Sequence, residues 1–497
     1  MKNKQLTLVV VSLLVVVLSV SLAYFTAQII GKGKDVSVTS ANLQIVFTDS
    51  DGALTETDIE PGWSATKTFT IKNDTKTEYK YNIVIKDLVN TFVTEGYLQY
   101  KITSTNNGYN MTEFKDIPKS SIATDTILAY SVVIPNGVTQ SYTIEFKYAN
   151  DESVDQSIDM NKKLSGTLFI TEGTEEPVTL LSQLLADKST KLTRTDFSKV
   201  LTDNNTNTLY TSTEDSKTVY YFAGNATDNW VKFGKNASNQ DLYWRIIRTN
   251  SEGSVRLLYH GTSTTATDAY IGTSAFNSSN NNIAYISYMY GSLGSIPNAR
   301  TNQTNSSAIK TTIDDWYTSN LEAKGYTKYL STTAVYCNDR TYTVSGSFTY
   351  FGARTRLDTN KRPSYDCAIT EDKFTVDSTL GNGKLTYPIA LMTADEVSFA
   401  GGVWNTNAPT WYYKNSANGS STGSTWWWLL SPNRWSDGSA SVFYVIGSSH
   451  PGYLNYAYVS DAGGVRPALS LKSCVKYSSG DGSASAPYTI KETTSGC

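Results

Sequence analysis

The hydrophobic pattern begins with a long apolar run at the N-terminus. A start that carries two lysines precedes an almost unbroken apolar run over residues 6–30, with small residues near Ala23. A basic start, an apolar run and small residues predict an export signal cleaved after Ala23. Uncleaved, the run is long enough to span a bilayer. We therefore predict a signal peptide or membrane anchor at residues 1–31. The rest of the chain is then extracellular or at the cell surface, either secreted or membrane-anchored.

Short stretches of alternating or β-branched residues follow this run. They lie at residues 41–47, 66–72, 79–86, 141–147 and 164–170. Turn signals such as Asp51-Gly52 and Pro61-Gly62 separate them. Strands of period two at this spacing predict an all-β sandwich at residues 35–172.

A polar, acidic break at residues 171–177 ends the strand pattern. One short amphipathic helix is predicted over residues 178–185, and the Asn/Thr/Ser-rich stretch 204–217 is predicted to be a solvated loop. We therefore predict a linker with a short helix at residues 173–217.

The C-terminal domain, predicted at residues 218–497, mixes strand and helix patterns. Residues 243–248 and 254–259 form two strand patterns joined by a predicted hairpin turn. Apolar residues recur at helical spacing within 307–324, and residues 392–400 open with the arrangement of a capping box. The pattern predicts an α+β domain and, with the sandwich, a multidomain protein.

The last part of this domain alternates between apolar blocks and polar sequence. The blocks at residues 426–432 and 464–471 predict buried strands, and between them single apolar residues alternate with Ser, Asp, Gly, Tyr and Asn. Such a mixture is typical of adaptable binding surfaces. The expected scaffold residues are Trp427, Leu429, Val465, Arg466 and Leu469. The candidate ligand contacts, expected to lie exposed on one face, are Arg434, Trp435, Ser436, Asp437, Ser439, Ser441, Tyr444, Ser448, Ser449, His450, Tyr453, Asn455, Tyr456, Tyr458, Ser460 and Asp461.

Composition and charge exclude several kinds of function. A net charge of −3 leaves no basic face for nucleic acid. With only two histidines, His260 and His450, a His-rich metal site and a Ser-His-Asp arrangement are both disfavoured. The paired carboxylates Asp314-Asp315 and Asp395-Glu396 lie on predicted helices, where we expect solvated faces and caps. No catalytic residue, metal or cofactor is predicted.

The four cysteines predict disulfides. An even number in an exported chain favours two bonds, most simply Cys337–Cys367 and Cys474–Cys497, among three possible pairings.

Several blocks of the C-terminal domain carry a family resemblance. A tryptophan-rich W-L-x-S-P motif at 428–432 precedes G-V-R-P-A-L-x-L at 464–471, and further matching blocks include residues 241–248 and 387–397. Residues 218–491 resemble the C-type-lectin-like domains related to the sulfatase-modifying, formylglycine-generating fold. The formylglycine-generating enzymes use a close pair of active-site cysteines, and this sequence has no closely spaced pair. The resemblance implies fold more than function.

The N-terminal part resembles a second family. The S-L-A-Y-F-T end of the apolar run and the I-x-P-G turn at residues 59–62 are similar to the camelysin and TasA-like surface and matrix proteins of Gram-positive bacteria. The protease activity suggested for that family does not transfer, because the module has no His pair at metal-binding spacing. The resemblance implies a spacer or assembly module.

The candidate binding stretch also has an unusual composition. Between Lys414 and Lys472 there is no Lys, Glu, Gln or Met. Adenine-directed randomisation by a diversity-generating retroelement cannot reach these residues from asparagine codons, and such systems commonly place the variable stretch at the end of a C-type-lectin-like domain. The other explanation is that Gly/Ser/Tyr-rich loops simply lack long charged side chains. Both stay open.

These patterns predict a bacterial cell-surface protein without enzymatic activity that binds or adheres to an extracellular protein or glycan. Membrane contact is expected only through an uncleaved N-terminal segment. The alternatives are a modifying enzyme of the formylglycine-generating type and a structural biofilm-matrix protein assembled through the sandwich.

Overall fold

The protein is β-rich and has two compact units. Strands account for 40% of the residues and helices for 14% in the computed structural model. The units are Met1–Glu176 and Pro177–Cys497, which agrees with the predicted multidomain, β-rich architecture. Side chains are described from Ile59 onward. The structure describes residues 25–30, 36–40, 43–49, 54–94, 96–266, 269–413, 426–447 and 450–497.

The described part of the first unit consists of strands and one 3-10 turn, at Gln156–Asp159. The strands are β1 Phe25–Ile30, β2 Val36–Ser40, β3 Leu43–Asp49, β4 Leu54–Ile59, β5 Ser64–Asn73, β6 Tyr79–Asn90, β7 Leu98–Ser104, β8 Lys115–Asp116, β9 Ser120–Ile134, β10 Thr139–Tyr148 and β11 Lys163–Glu172.

Two sheets of the first unit enclose one core, as expected for a β-sandwich. Their strand orders are β4-β1-β11-β6-β9 and β2-β3-β5-β10-β7-β8. Alternate residues of each sheet face inward, among them Ile83 and Leu168 from the first and Ile71 and Ile144 from the second, all essentially inaccessible to solvent. Period-two patterning therefore places one row of each strand in the core.

Strand β1 corrects the predicted N-terminal segment. Residues 25–30, predicted to belong to a signal peptide or membrane anchor at 1–31, pair in parallel with β11 and antiparallel with β4. An apolar run fits a buried strand as well as a helix, and hydropathy alone does not separate the two. Within the described residues no helix is long and apolar enough to cross a membrane. The predicted signal or anchor in residues 1–24 lies outside the described part of the chain.

The second unit contains most of the elements. Its strands are β12 Thr190–Thr193, β13 Thr208–Glu214, β14 Lys217–Tyr221, β15 Trp230–Lys235, β16 Asp241–Thr249, β17 Val255–Tyr259, β18 Thr273–Ala275, β19 Met289–Tyr290, β20 Asn305–Ser306, β21 Tyr336–Cys337, β22 Tyr342–Ser345, β23 Phe348–Phe351, β24 Lys373–Phe374, β25 Ile389–Leu391, β26 Trp427–Ser436, β27 Ser439–Val445, β28 Leu454–Tyr458, β29 Ala462–Gly464, β30 Pro467–Leu471, β31 Tyr477–Ser479 and β32 Tyr488–Ile490.

Its helices are short. The α-helices are α1 Leu180–Asp187, α2 Ile296–Arg300, α3 Ala308–Tyr317, α4 Gly352–Arg354 and α5 Ala394–Phe399. Turns of 3-10 helix lie at Ile283–Ile286, Tyr326–Tyr329 and Thr370–Asp372, and π-helical turns at Thr318–Glu322 and Thr355–Asn360. The predicted helices over 178–185, 307–324 and 392–400 are confirmed by α1, α3 and α5.

Two larger sheets organise the second unit. The first has the strand order β12-β13-β14-β16-β15-β32-β31. In addition, β17 pairs with β16, β30 pairs with β17, and β25 pairs with β30. The second runs β18-β29-β26-β23-β22, with β27 beside β26 and β28 beside β27. The antiparallel pair of β16 and β17 confirms the predicted hairpin. Both faces of the central strand β16 are covered, because Trp244 and Ile246 are buried on one face and Arg245 and Ile247 on the other.

The predicted linker at residues 173–217 is largely part of the second unit. Helix α1 buries Leu180 and Leu184 in the same core as Leu209 of β13. β13 pairs antiparallel with β14, although its Asn/Thr/Ser-rich surroundings led us to predict a solvated loop. Threonine is β-branched and suits a strand as well as a turn, so composition alone gave the wrong answer here.

Both predicted disulfides are present. Cys337 is bonded to Cys367 and Cys474 to Cys497, with Cα–Cα distances of 5.7 and 5.1 Å. The pairing that follows sequence order is therefore the correct one among the three.

Candidate functional site

The tryptophan block forms the buried half of β26. Trp427, Trp428 and Leu429 have no accessible surface, and the indole nitrogen of Trp428 donates a 2.9 Å hydrogen bond to the backbone oxygen of Ser274. The predicted buried strand is confirmed, and its remaining residues carry the candidate site toward the surface.

The other predicted scaffold residues are buried as well. Val465, Arg466 and Leu469 have no accessible surface. The guanidinium of Arg466 lies 4.7 Å above the ring of Trp427, and its Nη1 donates a 2.7 Å hydrogen bond to the backbone oxygen of Tyr412. Aromatic contact and backbone acceptors stabilise this buried charge.

A tight turn joins the strands of the candidate site. Asp437 and Gly438 connect β26 to β27 with φ angles of 48° and 73°. Positive φ at both central residues is the signature of a type I′ hairpin turn, for which Asp-Gly is a preferred sequence. Asp437, predicted as a ligand contact, is therefore exposed at the tip of a hairpin.

The predicted binding residues do not share one face. Tyr444 lies opposite Asn455, and Phe443 lies opposite Tyr456, in the β27–β28 pair. Because successive side chains alternate, Tyr444 and Asn455 lie on one face, whereas Tyr456 and Tyr458 lie on the other. The ring of Tyr444 packs 4.9 Å from Trp426. The expectation of a single exposed face is therefore wrong.

Burial divides the predicted contacts into four groups. Ser436 and Ser441 are buried, and the Ser441 hydroxyl donates to the backbone oxygen of Arg434 at 3.0 Å, which corrects their prediction as surface contacts. Ser441 is the cross-strand partner of Arg434 and Ser436 lies two residues from it, so both serines share the face of Arg434 and alternation does not account for their burial. Ser448 and Ser449 lie outside the described residues. Exposed contacts are Asp437, His450, Tyr458, Ser460 and Asp461, and half-buried ones are Arg434, Trp435, Ser439, Tyr444, Tyr453, Asn455 and Tyr456.

Six half-buried side chains from separate parts of the second unit form a closed circuit of contacts. We call it the arginine–aromatic ring, and it consists of Phe348, Tyr350, Arg354, Trp404, Arg434 and Tyr456. Strand β23 supplies the first two residues and α4 the third, while β26 and β28 supply the last two. Trp404 joins this set because it bridges to Leu454 at the start of β28.

One half of the ring is centred on two aromatic groups. The rings of Trp404 and Tyr456 are parallel within 7°, with centroids 6.1 Å apart. The guanidinium of Arg354 lies 3.9 Å over Trp404, and that of Arg434 lies 4.4 Å over Tyr456. Each aromatic group therefore carries a cation on its face.

The other half closes the circuit through β23. Phe348 and Tyr350 stack with centroids 5.8 Å apart. Arg434 lies 5.7 Å over Phe348, and Arg354 lies 5.8 Å over Tyr350. Both guanidinium groups are thus held between aromatic side chains of different chain segments.

The sequence interpretation found only part of this ring. Arg434 and Tyr456 were predicted contacts, whereas Phe348, Tyr350, Arg354 and Trp404 were not. Residues 348–354 lie between Cys337 and Cys367 in the sequence. Only the pairing of β23 with β26 brings them to the site. The alternating F-T-Y-F of β23 was a usable local signal for the strand, but nothing in it identifies the neighbouring strand.

The carboxylates at the start of α5 belong to a buried ionic network. Glu396 accepts from Arg248 Nε at 2.9 Å and from Arg256 Nη1 at 2.8 Å, and Glu214 accepts from Arg248 Nη2 at 2.8 Å. Burial opposes ionisation of Glu396, but Arg256 and Arg248 outweigh burial and hold the pKa of its carboxyl below the ordinary value. This carboxylate stays charged at neutral pH.

Asp395 extends the network toward the surface. Its two oxygens accept from Arg356 Nε and Nη2, each at 2.8 Å, and Arg356 Nη1 contacts Asp339 at 2.6 Å. Burial disfavours the charge of Arg356, but Asp395 and Asp339 outweigh burial and raise the pKa of the guanidinium. The cavity beside these groups is about 20 Å³, which holds about one water molecule.

The expectation of solvated faces and caps is therefore half right. Thr393 caps α5 in a capping box with Glu396, as predicted. Asp395 and Glu396 are buried, however, because arginines reach them from other strands. On α3, Asp315 is exposed and Asp314 pairs with Lys310 one turn away. Among the described residues, no group of three or more His, Cys, Asp or Glu side chains is arranged to hold a metal ion.

One family model matches part of the second unit. Residues 368–473, less than half of the chain, match the model of DUF6273, a domain of unknown function, and the match includes β26 to β30. No curated protein matches the chain. One solved structure, described as "AvmM Catalyzes Macrocyclization in Alchivemycin A Biosynthesis", is 10% identical with a TM-score of 0.16, over 30% of this chain and 100% of that chain. A similarity at that level shows no shared fold.

Proposed function

We propose that the second unit is a ligand-binding module without enzymatic activity, of the lectin-like kind that its sequence blocks resemble. The arginine–aromatic ring is the observation that carries the proposal. Trp, Tyr and Arg are the residues that most often dominate binding energy at protein surfaces. The Trp, Tyr and Arg residues of the ring are half-buried, and Tyr458 nearby is exposed. Arg434 lies on β26, whose first half is fully buried. A rigid base with partly accessible aromatic groups suits recognition.

Export and display outside the cytoplasm complete the proposal. Two disulfides are typical of proteins in oxidising compartments. The sandwich of the first unit would then act as a spacer between the cell surface and the module, as its resemblance to the camelysin and TasA-like proteins implies.

The enzyme alternative has no comparable support. A formylglycine-generating activity would use reactive cysteines, and all four cysteines are bonded in two disulfides. The carboxylates of the buried ionic network are already paired with arginines, and the cavity beside them is too small for a substrate. We therefore do not propose a catalytic role.

Arrays of extracellular glycans and of peptides test the proposed function. The full chain should bind features of at least one array, and Tyr458→Ser should abolish that binding with an unchanged melting temperature, because Tyr458 is 43% exposed. The matched control is Tyr342→Ser, since Tyr342 is 46% exposed on β22 but is not one of the predicted ligand contacts. Arrays without signal, or signals that survive Tyr458→Ser, would overturn the proposal.

The proposed variability of residues 434–462 has its own test. Sequencing of the gene and its neighbourhood in several isolates should reveal a reverse transcriptase and a near-copy of the 3′ coding segment. Substitutions should then be concentrated at exposed and half-buried positions and spare buried Ser441. An invariant segment without a template copy would favour the compositional explanation.

A further inference from the structure

We propose that the arginine–aromatic ring recognises a carboxylate side chain of an acidic protein segment, and that Arg434 is the residue that binds it. The inference rests on the proposed ligand-binding function and names the ligand chemistry of that surface.

In the part of the chain that the structure describes, no acidic side chain pairs with Arg434. Its guanidinium has neither an ion pair nor a hydrogen bond among the described residues, and its Nε is buried and unpaired. Its polar contacts are limited to cation–π contacts with Tyr456 and Phe348. An external ligand cannot reach the buried Nε, but Nη1 and Nη2 are not among the buried atoms and have no partner within the described residues, so an incoming carboxylate would pair with them. The arrangement therefore favours binding of an anion.

The charge of the ring fits one carboxylate. Arg354, the other cation, already pairs with Asp358 at 2.8 Å through Nη2. Within the described ranges, one positive charge of the ring, that of Arg434, stays uncompensated. A guanidinium matches the planar geometry of a carboxylate through two parallel hydrogen bonds. A doubly charged phosphate would find only half of its charge balanced.

Aromatic packing holds the binding group in place before the ligand arrives. Arg434 lies between β23 and β28, against Phe348 on one and Tyr456 on the other. An arginine side chain that is already ordered loses less conformational entropy on binding. This explains why two aromatic contacts surround a charge that has no acid of its own.

A protein ligand fits the ring better than a sugar. Sugar rings bind by stacking on open aromatic faces, but Trp404 and Tyr456 each carry a guanidinium on a face and lie parallel to one another. Phe348 is stacked on Tyr350. The surrounding Tyr, Asn and Ser residues have the composition of surfaces that recognise proteins. An acidic glycan is therefore the alternative outcome of the test.

The test measures binding of poly-L-glutamate and polygalacturonate to the immobilised full chain. We expect the chain to bind poly-L-glutamate, and Arg434→Gln to weaken that binding about tenfold or more. A net charge of −3 disfavours unspecific attraction of polyanions. Arg362→Gln is the matched control, because Arg362 is exposed and is not a member of the ring.

A second variant distinguishes loss of binding from loss of folding. Arg434→Lys keeps the charge and most of the stem, so the protein should fold, but an ammonium group cannot form the paired hydrogen bonds. We expect binding several-fold weaker than that of the wild-type chain. Equal binding by the wild-type chain and Arg434→Lys would overturn recognition through a guanidinium.

The remaining outcomes are also decisive. Arg434-dependent binding of polygalacturonate but not of poly-L-glutamate would overturn the protein ligand in favour of an acidic glycan. Binding of neither polymer would overturn the inference. Array signals that need Tyr458 but not Arg434 would leave the proposed function standing and remove only this inference. Arrays without a Tyr458-dependent signal would remove the proposed function itself.

Discussion

At the scale of single residues, charge and aromatic packing are used in two ways. Arg248 and Arg256 meet Glu396 in the buried ionic network, whereas Arg434 meets only aromatic faces. The first arrangement balances charge inside the protein and stabilises the fold. The second leaves a positive charge at a half-buried position, and the proposed binding surface rests on this feature.

The buried network predicts an acid-sensitive fold. Glu396→Gln leaves Arg248 and Arg256 without their shared carboxylate and should lower the free energy of unfolding by about 3–5 kcal/mol. The pKa of Glu396 is lowered in the folded state, so its contribution is present above the unfolded pKa and is lost as pH falls through the folded value. The wild-type chain should therefore lose more stability than the variant as pH falls below 4.5, the ordinary glutamate value.

Chemical denaturation between neutral and acidic pH measures this effect. Glu371→Gln is the control, because Glu371 is exposed and its replacement should change stability by no more than about 0.5 kcal/mol. Parallel pH profiles for the wild-type chain and Glu396→Gln would contradict the predicted role of Glu396.

Two tyrosines on the same face of β28 should respond differently to replacement. Tyr456 carries Arg434 on its face and lies beside Trp404, so Tyr456→Ser should cost about 1–2 kcal/mol. Tyr458 is 43% exposed, and Tyr458→Ser should stay within about 0.5 kcal/mol. Urea denaturation of the two variants compares them directly, and equal losses would show that the ring adds no stability.

At the scale of elements, two glycines on either side of β27 have different roles. Gly438 has φ +73° in the turn before β27, with open space around it. Gly452 has φ +68° just before β28, and an added Cβ would overlap the backbone oxygen of Ala408. Gly438 is needed only for its backbone conformation. Gly452 is needed also because two chain segments approach each other closely there.

This difference gives a paired prediction. Gly438→Ala should cost about 1–2 kcal/mol for the left-handed backbone conformation. Gly452→Ala should cost about 1–3 kcal/mol more, because the backbone near Ala408 must move. Thermal unfolding of the two variants measures the difference. A smaller loss for Gly452→Ala than for Gly438→Ala would mean that the segments at residues 408 and 452 separate easily.

At the scale of the whole molecule, the boundary between the units determines what folds alone. Helix α1 and strand β12 precede residue 204, yet Leu180 and Leu184 of α1 lie in the core of the second unit. Residues 177–497 should therefore unfold cooperatively, whereas residues 205–497 should be less stable by about 2–5 kcal/mol for each lost leucine contact.

Unfolding curves of the two fragments and of residues 25–176 test this boundary. Point variants Leu184→Ala and Leu185→Ala in the longer fragment provide a matched pair, because Leu184 is buried and Leu185 is only half-buried. Equal stability of the two fragments would show that the second unit folds without α1 and would contradict the boundary at residue 177.

The sequence determined those features that depend on local patterns and on residue type. Period-two alternation predicted β5, β6, β10 and β11, the capping box predicted α5, and the even number of cysteines predicted both disulfides. The tryptophan block likewise predicted a buried strand. Each of these depends on residues that are neighbours along the chain or on a single chemical type.

Tertiary structure alone decided which strands are neighbours, and this determined the site. Pairing of β23 with β26 brought Phe348 and Tyr350 to Arg434, and the register of β27 with β28 put Tyr444 and Tyr456 on opposite faces. It also turned an apolar run into β1 and a polar stretch into β13. Contacts between residues far apart in sequence carry no local signal, because pairing depends on the free energy of the assembled sheet and not on either strand by itself.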